Sequence, residues 1–355
     1  MLASPRTRRS LTALAVLGLT LSACAKEEEG SKTDPAIAQA AAQQVARTEG
    51  ELCKMKAYGM KKQDLSKITV GFAQSEKENN PFRTAETQSI KDEAAKRGIK
   101  LITSGADGDL NKEISDIKDM IQKGAKALIV SPLKSEGLDP ALTEAKEKGI
   151  PVFTIDRLLT TKKHCVDYLG WVGSDFVDQG KKAAEAMLKA TGKKGVGVTL
   201  LGAAGVNVTD DRNKGYREVI DKCACEFKVV AEQTGDFDRA KGQAVTEQLL
   251  QKHKDLTAIY AHNDEMALGA KAALEAAGKK AGDVKIVTID GTKGAVQGLV
   301  DGWISGVIES NPRFGPLAFQ ALDDFYNDKG VPAVTIIKDD EYTPENAKEK
   351  LSKAY

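Results

Sequence analysis

KITVGFAQSEKENNPFRTAETQSIKDEAAKRGIK, residues 67 to 100, holds one full period of the pattern that decides the fold. Ile68–Phe72 is a short β-branched and aromatic run that gives way to polar residues. Thr84–Arg97 is a stretch of good helix formers stopped by Gly98, and the next apolar run opens at Lys100. The same alternation continues through strand runs at Lys100–Thr103, Ala127–Val130, Pro151–Ile155, Asp167–Val172, Val196–Leu201, Phe227–Glu232, Ala258–Ala261, Lys285–Ile289, Gly306–Ile308 and Val334–Ile337. Helical stretches such as Lys112–Lys123 before Gly124 lie between most of them. Strands alternating with helices of this length imply parallel sheets with right-handed crossovers and helices on both faces. Eleven strands are too many for one modest sheet, 355 residues are too many for one ordinary open-sheet domain, and the pattern restarts near Gly195. The expected class is α/β, with two similar doubly wound parallel-sheet lobes.

Composition narrows the function. The chain carries 52 basic and 51 acidic residues, a formal charge of +1, so no global field favours nucleic acid or an anionic membrane face. Arg6, Arg8 and Arg9 precede an apolar run, Leu11–Leu21, that is too short for a permanent membrane span. The run ends in Leu21-Ser22-Ala23-Cys24, which resembles the bacterial lipoprotein cleavage box. Residues 1–23 are thus expected to be a signal peptide, with Cys24 becoming the lipid-bearing N-terminus. A plain signal peptide and a twin-arginine reading of Arg8-Arg9 are the alternatives. Residues 24–34 read as a flexible charged tether, and 35–66 as an N-terminal helical extension with apolar spacing at Ile37, Ala41, Val45 and Leu52. Cys53, Cys165, Cys223 and Cys225 remain, an even number in an oxidising compartment, so disulfides are expected in one of three pairings. Zinc at Cys223-Ala224-Cys225 is disfavoured by the single intervening residue and the lack of nearby ligands.

In open parallel sheets, ligands bind where strands end, because loops and helix N-termini converge there. Those ends carry Gln74, Ser131, Asp156-Arg157, Gly202, Asn263-Asp264 and Asp290. Sugars call for such a set: each hydroxyl donates and accepts, and Asp, Asn and Arg grip adjacent hydroxyls with paired bonds. Phe82 and Phe237 stand among polar loop residues, where an aromatic wall would meet the apolar face of a sugar ring. Any single member could equally be a helix cap or turn residue.

Other motifs fail on spacing. Gly173–Lys182 has six residues between its glycines where a phosphate-binding loop has four, and Lys182 stands where Ser or Thr should hold magnesium. Asp107, Asp109 and Asn111 imitate a calcium loop, but Lys112 and Lys118 occupy the glycine and closing-glutamate places. His164, His253 and His262 are scattered, no G-x-S-x-G elbow occurs, and Asp210-Asp211 reads as a helix start, so no enzyme is expected. The Lys54–Lys62 stretch and Lys279-Lys280 lack aromatic interleaving and read as solvated faces.

The segments NNPF (Asn79–Phe82), PVFTIDR ending at Arg157, DDRNKGY from Asp210, GDFDRAKG from Gly235, YAHNDEMALGA from Tyr260 and TIDG ending at Gly291 carry a specific resemblance. From Ile68 to about Thr343 the chain resembles the ribose/galactofuranose branch of the type I periplasmic sugar-binding proteins of ABC transporters. The resemblance implies that Phe82 and Phe237 wall the ring, and that Arg83, Asp156, Arg157, Arg212, Asn263 and Asp290 bond hydroxyls, with Gln74 and Glu309 as further contacts. Arg83 stands where the ribose pattern has a second aromatic, and the ribose glutamine near Ser310 is missing, so the likeness is nearer to galactofuranose binders. It further implies a hinge, with lobe 1 at 67–173 and 311–341, and lobe 2 at 174–310 and 342–355. The expected protein is an exported, lipid-anchored monomer that closes on one monosaccharide and delivers it to an ABC permease, without cofactor, metal or nucleic acid. A sensor presenting the sugar to a chemoreceptor or histidine kinase is the alternative. The related repressors need a basic DNA-binding module before the first strand, where an export signal and acidic tether stand instead.

Overall fold

All eleven strand runs form strands, most with shifted ends, and they sort into two sheets. The computed structural model of the chain describes residues 41–60 and 62–355, so the signal sequence, Cys24, the tether and the start of the 35–66 segment lie outside the described residues. The first sheet contains β1 (Val45–Cys53), β2 (Thr69–Gln74), β3 (Lys100–Gly105), β4 (Ala125–Val130), β5 (Val152–Ile155) and β6 (Trp171–Gly173). The second contains β7 (Lys194–Leu201), β8 (Glu226–Thr234), β9 (Ala258–Ala261), β10 (Lys285–Asp290) and β11 (Gly306–Glu309). Near the C-terminus β12 (Val331–Ile337) returns to the first sheet and β13 (Glu341–Tyr342) to the second. The orders are β1-β12-β6-β5-β4-β2-β3 and β13-β11-β10-β9-β7-β8, parallel except for the edge strands β1 and β13. Strands β5 and β9 are buried at every residue, as expected of parallel strands covered on both faces.

Helices α1 (Pro81–Lys96), α2 (Leu110–Gln122), α3 (Asp139–Glu147), α4 (Phe176–Thr191) and α5 (Asn207–Ile220) fill the first crossovers. They are followed by α6 (Arg239–Lys252), α7 (Asp264–Ala276), α8 (Lys293–Val300), α9 (Gly315–Tyr326) and the short α10 (Ala347–Lys350). The chain passes between the sheets three times: from β6 to α4, from β11 to α9, and from β12 to β13. Glu341 pairs with β11, so this last crossing ends just before the expected boundary at 341. In both sheets the strand order reverses beside a first strand, between β2 and β4 and between β7 and β9, which opens a crevice at their carboxyl ends.

The N-terminal segment differs from its sequence reading. Val45–Cys53 is a strand, not a helix, and pairs antiparallel with β12 from Val45↔Ile337 to Cys53↔Val331. Without it β12 would be a bare edge, so a non-local ladder outweighs the helical leaning of the local sequence. The Asp167–Val172 run also shortens to Trp171–Gly173; Tyr168 O instead accepts from Cys165 N in the loop before it. Cys53 pairs with Cys165, fastening β1 to that loop, and Cys223 pairs with Cys225.

Two glycines set the approach of α4 to α5. A methyl group on Gly215 would stand 2.0 Å from Val177 O, and one on Gly180 would stand 2.1 Å from Arg212 O. Because both clashes are with backbone, relief requires moving a helix. Gly215→Ala is expected to lower stability by about 1–3 kcal/mol in urea unfolding. An unchanged midpoint would show that the two helices are not packed this closely.

Candidate functional site

The carboxyl ends of both sheets face one small shared cavity. The first lobe contributes Glu76, Asn80, Phe82, Arg83, Asp156 and Arg157; the second contributes Val208, Arg212, Phe237, Asn263 and Asp290. Eight of the ten residues expected from the sequence thus meet around a single space. Gln74 and Glu309 are not among its lining. Gln74 lies behind it, with Nε2 donating to Glu86 Oε2 at 2.7 Å, and Glu309 accepts from Asp340 N at 2.8 Å and Tyr342 Oη at 3.3 Å. Each is the last residue of its strand, and its side chain is used to join that strand to a neighbouring element.

Glu76, Asn80 and Val208 line the cavity without having been singled out as site residues. Glu76 lies two residues beyond Gln74, in the loop that follows the strand, so reading that whole loop would have found it. Asn80 lies within the NNPF segment. Its Oδ1 accepts from Phe82 N at 2.9 Å and caps α1, with Pro81 supplying the first helical turn. Val208 carries no polar signal.

Local backbone aims several of these groups. Asp156, Phe237 and Asp290 have φ of 60°, 60° and 147°, unfavourable for side-chain-bearing residues, and such strain concentrates at binding sites. Trp171 Nε1 donates to Asp156 O at 2.9 Å and helps to hold that corner. Gly202 makes room for Phe237, since a methyl group there would lie 2.0 Å from the ring. Asn263 caps α7 by accepting from Met266 N at 3.1 Å, while Nδ2 donates to Phe237 O at 3.2 Å. An amide nitrogen carries two hydrogens, so one donor of Asn263 remains for a ligand.

The electrostatics are set by arginines paired with carboxyl groups. Glu76 accepts from Arg83 Nε at 2.9 Å and from Arg157 Nη2 at 2.7 Å. Burial alone would raise the Glu76 carboxyl, but the guanidiniums of Arg157 and Arg83 outweigh it and hold the group well below the usual carboxylate range. Arg83 Nη1 also donates to Asp156 Oδ2 at 2.7 Å and to Glu86 Oε2 at 2.9 Å. Arg212 Nε donates to Gln179 Oε1 at 3.0 Å, and its Nη2 stands 3.8 Å from Asp290 Oδ1. Burial, then the neighbouring Asp264 carboxylate, pushes Asp290 well above its ordinary range. Three guanidiniums therefore face Glu76, Asp156 and Asp290 along one wall or another of the cavity. Arg157 Nη1 donates to Leu133 O at 2.8 Å, while its Nε makes no hydrogen bond and stands 4.0 Å from Asp156 Oδ2.

Beside the cavity the lobes touch directly. Ser135 N donates to Gly205 O at 3.1 Å, Asn207 N to Ser135 Oγ at 2.9 Å, and Leu158 N to Asn207 Oδ1 at 3.0 Å. The arrangement is a closed clamp around a small polar space with aromatic walls.

Known proteins share this architecture. A family profile described as a periplasmic binding protein domain matches residues 70–345. The ribose import binding protein of Bacillus subtilis is 38% identical over 265 residues, covering 74% of this chain and 83% of its own length. The galactofuranose-binding protein of Escherichia coli is 35% identical over 292 residues, covering 81% and 91%. Among solved structures, the arabinose ABC transporter binding protein of Shewanella sp. ANA-3, bound to α- and β-L-arabinofuranose, superposes with a TM-score of 0.77 at 34% identity, covering 80% of this chain and 95% of that one. With the profile spanning most of the chain and relatives this similar along nearly their whole length, the chain belongs to the periplasmic binding protein family, in the branch that holds these sugar-binding proteins.

Proposed function

We propose that this chain is the sugar-binding component of an ABC importer, exported, anchored by lipid at Cys24, and closing as a monomer on one monosaccharide that it passes to a membrane permease. The observation that carries this reading is the shared cavity: both lobes supply its walls, and each of its guanidiniums is bonded to or set beside a carboxyl group. Such a site suits a neutral polyhydroxylated ligand better than an ion. Phe82 and Phe237 would wall the ring, and Arg83, Asp156, Arg157, Arg212, Asn263 and Asp290 would bond its hydroxyls, joined by Glu76 and Asn80. Closure follows from the ligand touching both lobes at once. The Glu76 and Asp156 carboxylates are engaged by arginines, which suits binding rather than proton transfer.

A compact furanose, galactofuranose or a related aldose, is the proposed ligand. Arg83 stands where the ribose pattern has an aromatic, and the similar galactofuranose and arabinofuranose proteins point the same way. The test is a thermal-shift screen over ribose, fructose, arabinose, galactose and galactofuranose. A ligand at 1,000 times its Kd should add about 4 kcal/mol of stability. A flat response to every sugar would refute the reading. With the best ligand, Phe237→Ala is expected to weaken binding by roughly 5- to 30-fold in calorimetry, since one stacking face is worth about 1–2 kcal/mol. Unaltered affinity would remove Phe237 from the proposed walls.

A further inference from the structure

The three crossovers between the lobes converge on one side chain. Asp339, between β12 and β13, accepts through Oδ1 from Ser174 Oγ at 3.1 Å and from Asn311 N at 3.0 Å, residues of the first and second crossovers. Its Oδ2 accepts from Gln179 Nε2 at 2.9 Å. Ser174 Oγ also lies 3.4 Å from Ser310 Oγ, so the hinge segments are tied to one another as well as to the carboxylate. Gln179, in the first turns of α4, donates in addition to Glu309 O at 3.2 Å and accepts from Arg212 Nε at 3.0 Å. Gln179, Ser174 and Arg212 are all buried. A continuous chain of hydrogen bonds therefore runs from a guanidinium in the cavity wall to the point where all three crossovers meet.

Holding a half-buried carboxylate against a buried amide here is costly unless their donors and acceptors are matched. An apolar hinge core would avoid that cost, yet it could not link the hinge angle to the aim of Arg212. We propose that Gln179 and Asp339 form a relay that couples the placement of Arg212 in the cavity to the geometry of the hinge. In the closed form the relay is fully matched. Rotation of the lobes shifts Ser174 and Asn311 relative to Asp339, and the disturbance passes through Gln179 to Arg212. Both are positioning residues that act through Arg212 and the crossovers. The inference rests on the sugar-binding reading above.

Polarity makes the relay testable. Gln179→Glu sets two carboxylates face to face, and Asp339→Asn sets two amide donors face to face. In the double variant the introduced amide donates to the introduced carboxylate, which still accepts from Arg212 Nε, while Ser174 and Asn311 keep an acceptor and only the bond to Glu309 O is lost. Each single variant is expected to lose at least about tenfold in affinity for the sugar identified by the thermal screen, chiefly through faster dissociation. The double variant, which still lacks the bond to Glu309 O, is expected to bind more tightly than either single variant, a non-additivity that marks direct coupling. Single variants that bind like the parent, or a double variant as weak as the two losses combined, would overturn the relay. Should the parent bind no sugar at all, it is the sugar reading that fails. The relay is then judged by small-angle scattering of the ligand-free proteins. A larger radius of gyration in both single variants, restored in the double variant, supports it; four identical curves overturn it.

Discussion

Replacing Arg157 with alanine is expected to raise the sugar Kd by roughly 30- to 1,000-fold, a loss of about 2–4 kcal/mol, while the two lobes stay folded. The guanidinium follows β5, where a strand buried at every residue ends and the chain turns sharply at Asp156. Its Nη1 is held by Leu133 O and its Nη2 by Glu76, so the fork is aimed before any ligand arrives. Truncation leaves Glu76 still bonded to Arg83 at 2.9 Å, so no carboxylate is stranded without a cation, and the cost to the ligand-free protein is expected to be about 1–3 kcal/mol. Arg157→Lys should fail nearly as badly, because an ammonium cannot reproduce a planar fork that serves Glu76, Leu133 and a ligand together. Calorimetry with the thermally selected sugar, beside ligand-free unfolding, separates the two effects. Parent-like affinity in Arg157→Ala would exclude this residue from the site.

The second large effect concerns stability. Cys53 and Cys165 are 112 residues apart in sequence, and their bond joins β1 to the loop that leads into β6. In the chain-entropy description, a link of that span restrains the unfolded state by about 4–5 kcal/mol, and removal of native disulfides commonly costs 2–5 kcal/mol. Cys53→Ser with Cys165→Ser is expected to fall in that range by urea unfolding, and to free the β12 edge that β1 covers. Cys223→Ser with Cys225→Ser should cost much less, since those residues are only two apart in sequence. Equal losses from the two pairs would contradict the assignment of the long link as the main staple.

Much of this architecture was legible in the residues because parallel strands and amphipathic helices leave strong periodic marks. The Ala258–Ala261 strand was read to its last residue, and others erred mainly at their ends. Val45–Cys53 was not legible, for its residues are largely exposed and its strand character comes from pairing with Val331–Ile337, almost three hundred residues away. Glu341–Tyr342 is too short to carry a pattern. The site was readable because topology forces the strand ends together, so Asp156, Arg157, Asn263 and Asp290 could be collected without coordinates. What that rule does not supply is the direction of each side chain. Gln74 and Glu309 obey it in position, yet their side chains fasten strands to neighbours, while Glu76, a little farther along its loop, faces the cavity. Asp339 left no mark in the sequence, since its role depends on three distant crossovers meeting at one point.

A crystal structure of the protein soaked or co-crystallised with its tightest-binding monosaccharide tests the central claim most directly. The account predicts one furanose ring between Phe82 and Phe237, with hydroxyls within hydrogen-bond distance of Arg157 and Arg212 and of at least one of Asp156, Asn263 and Asp290. Sugar density at any other surface, with this cavity holding only solvent, would contradict it.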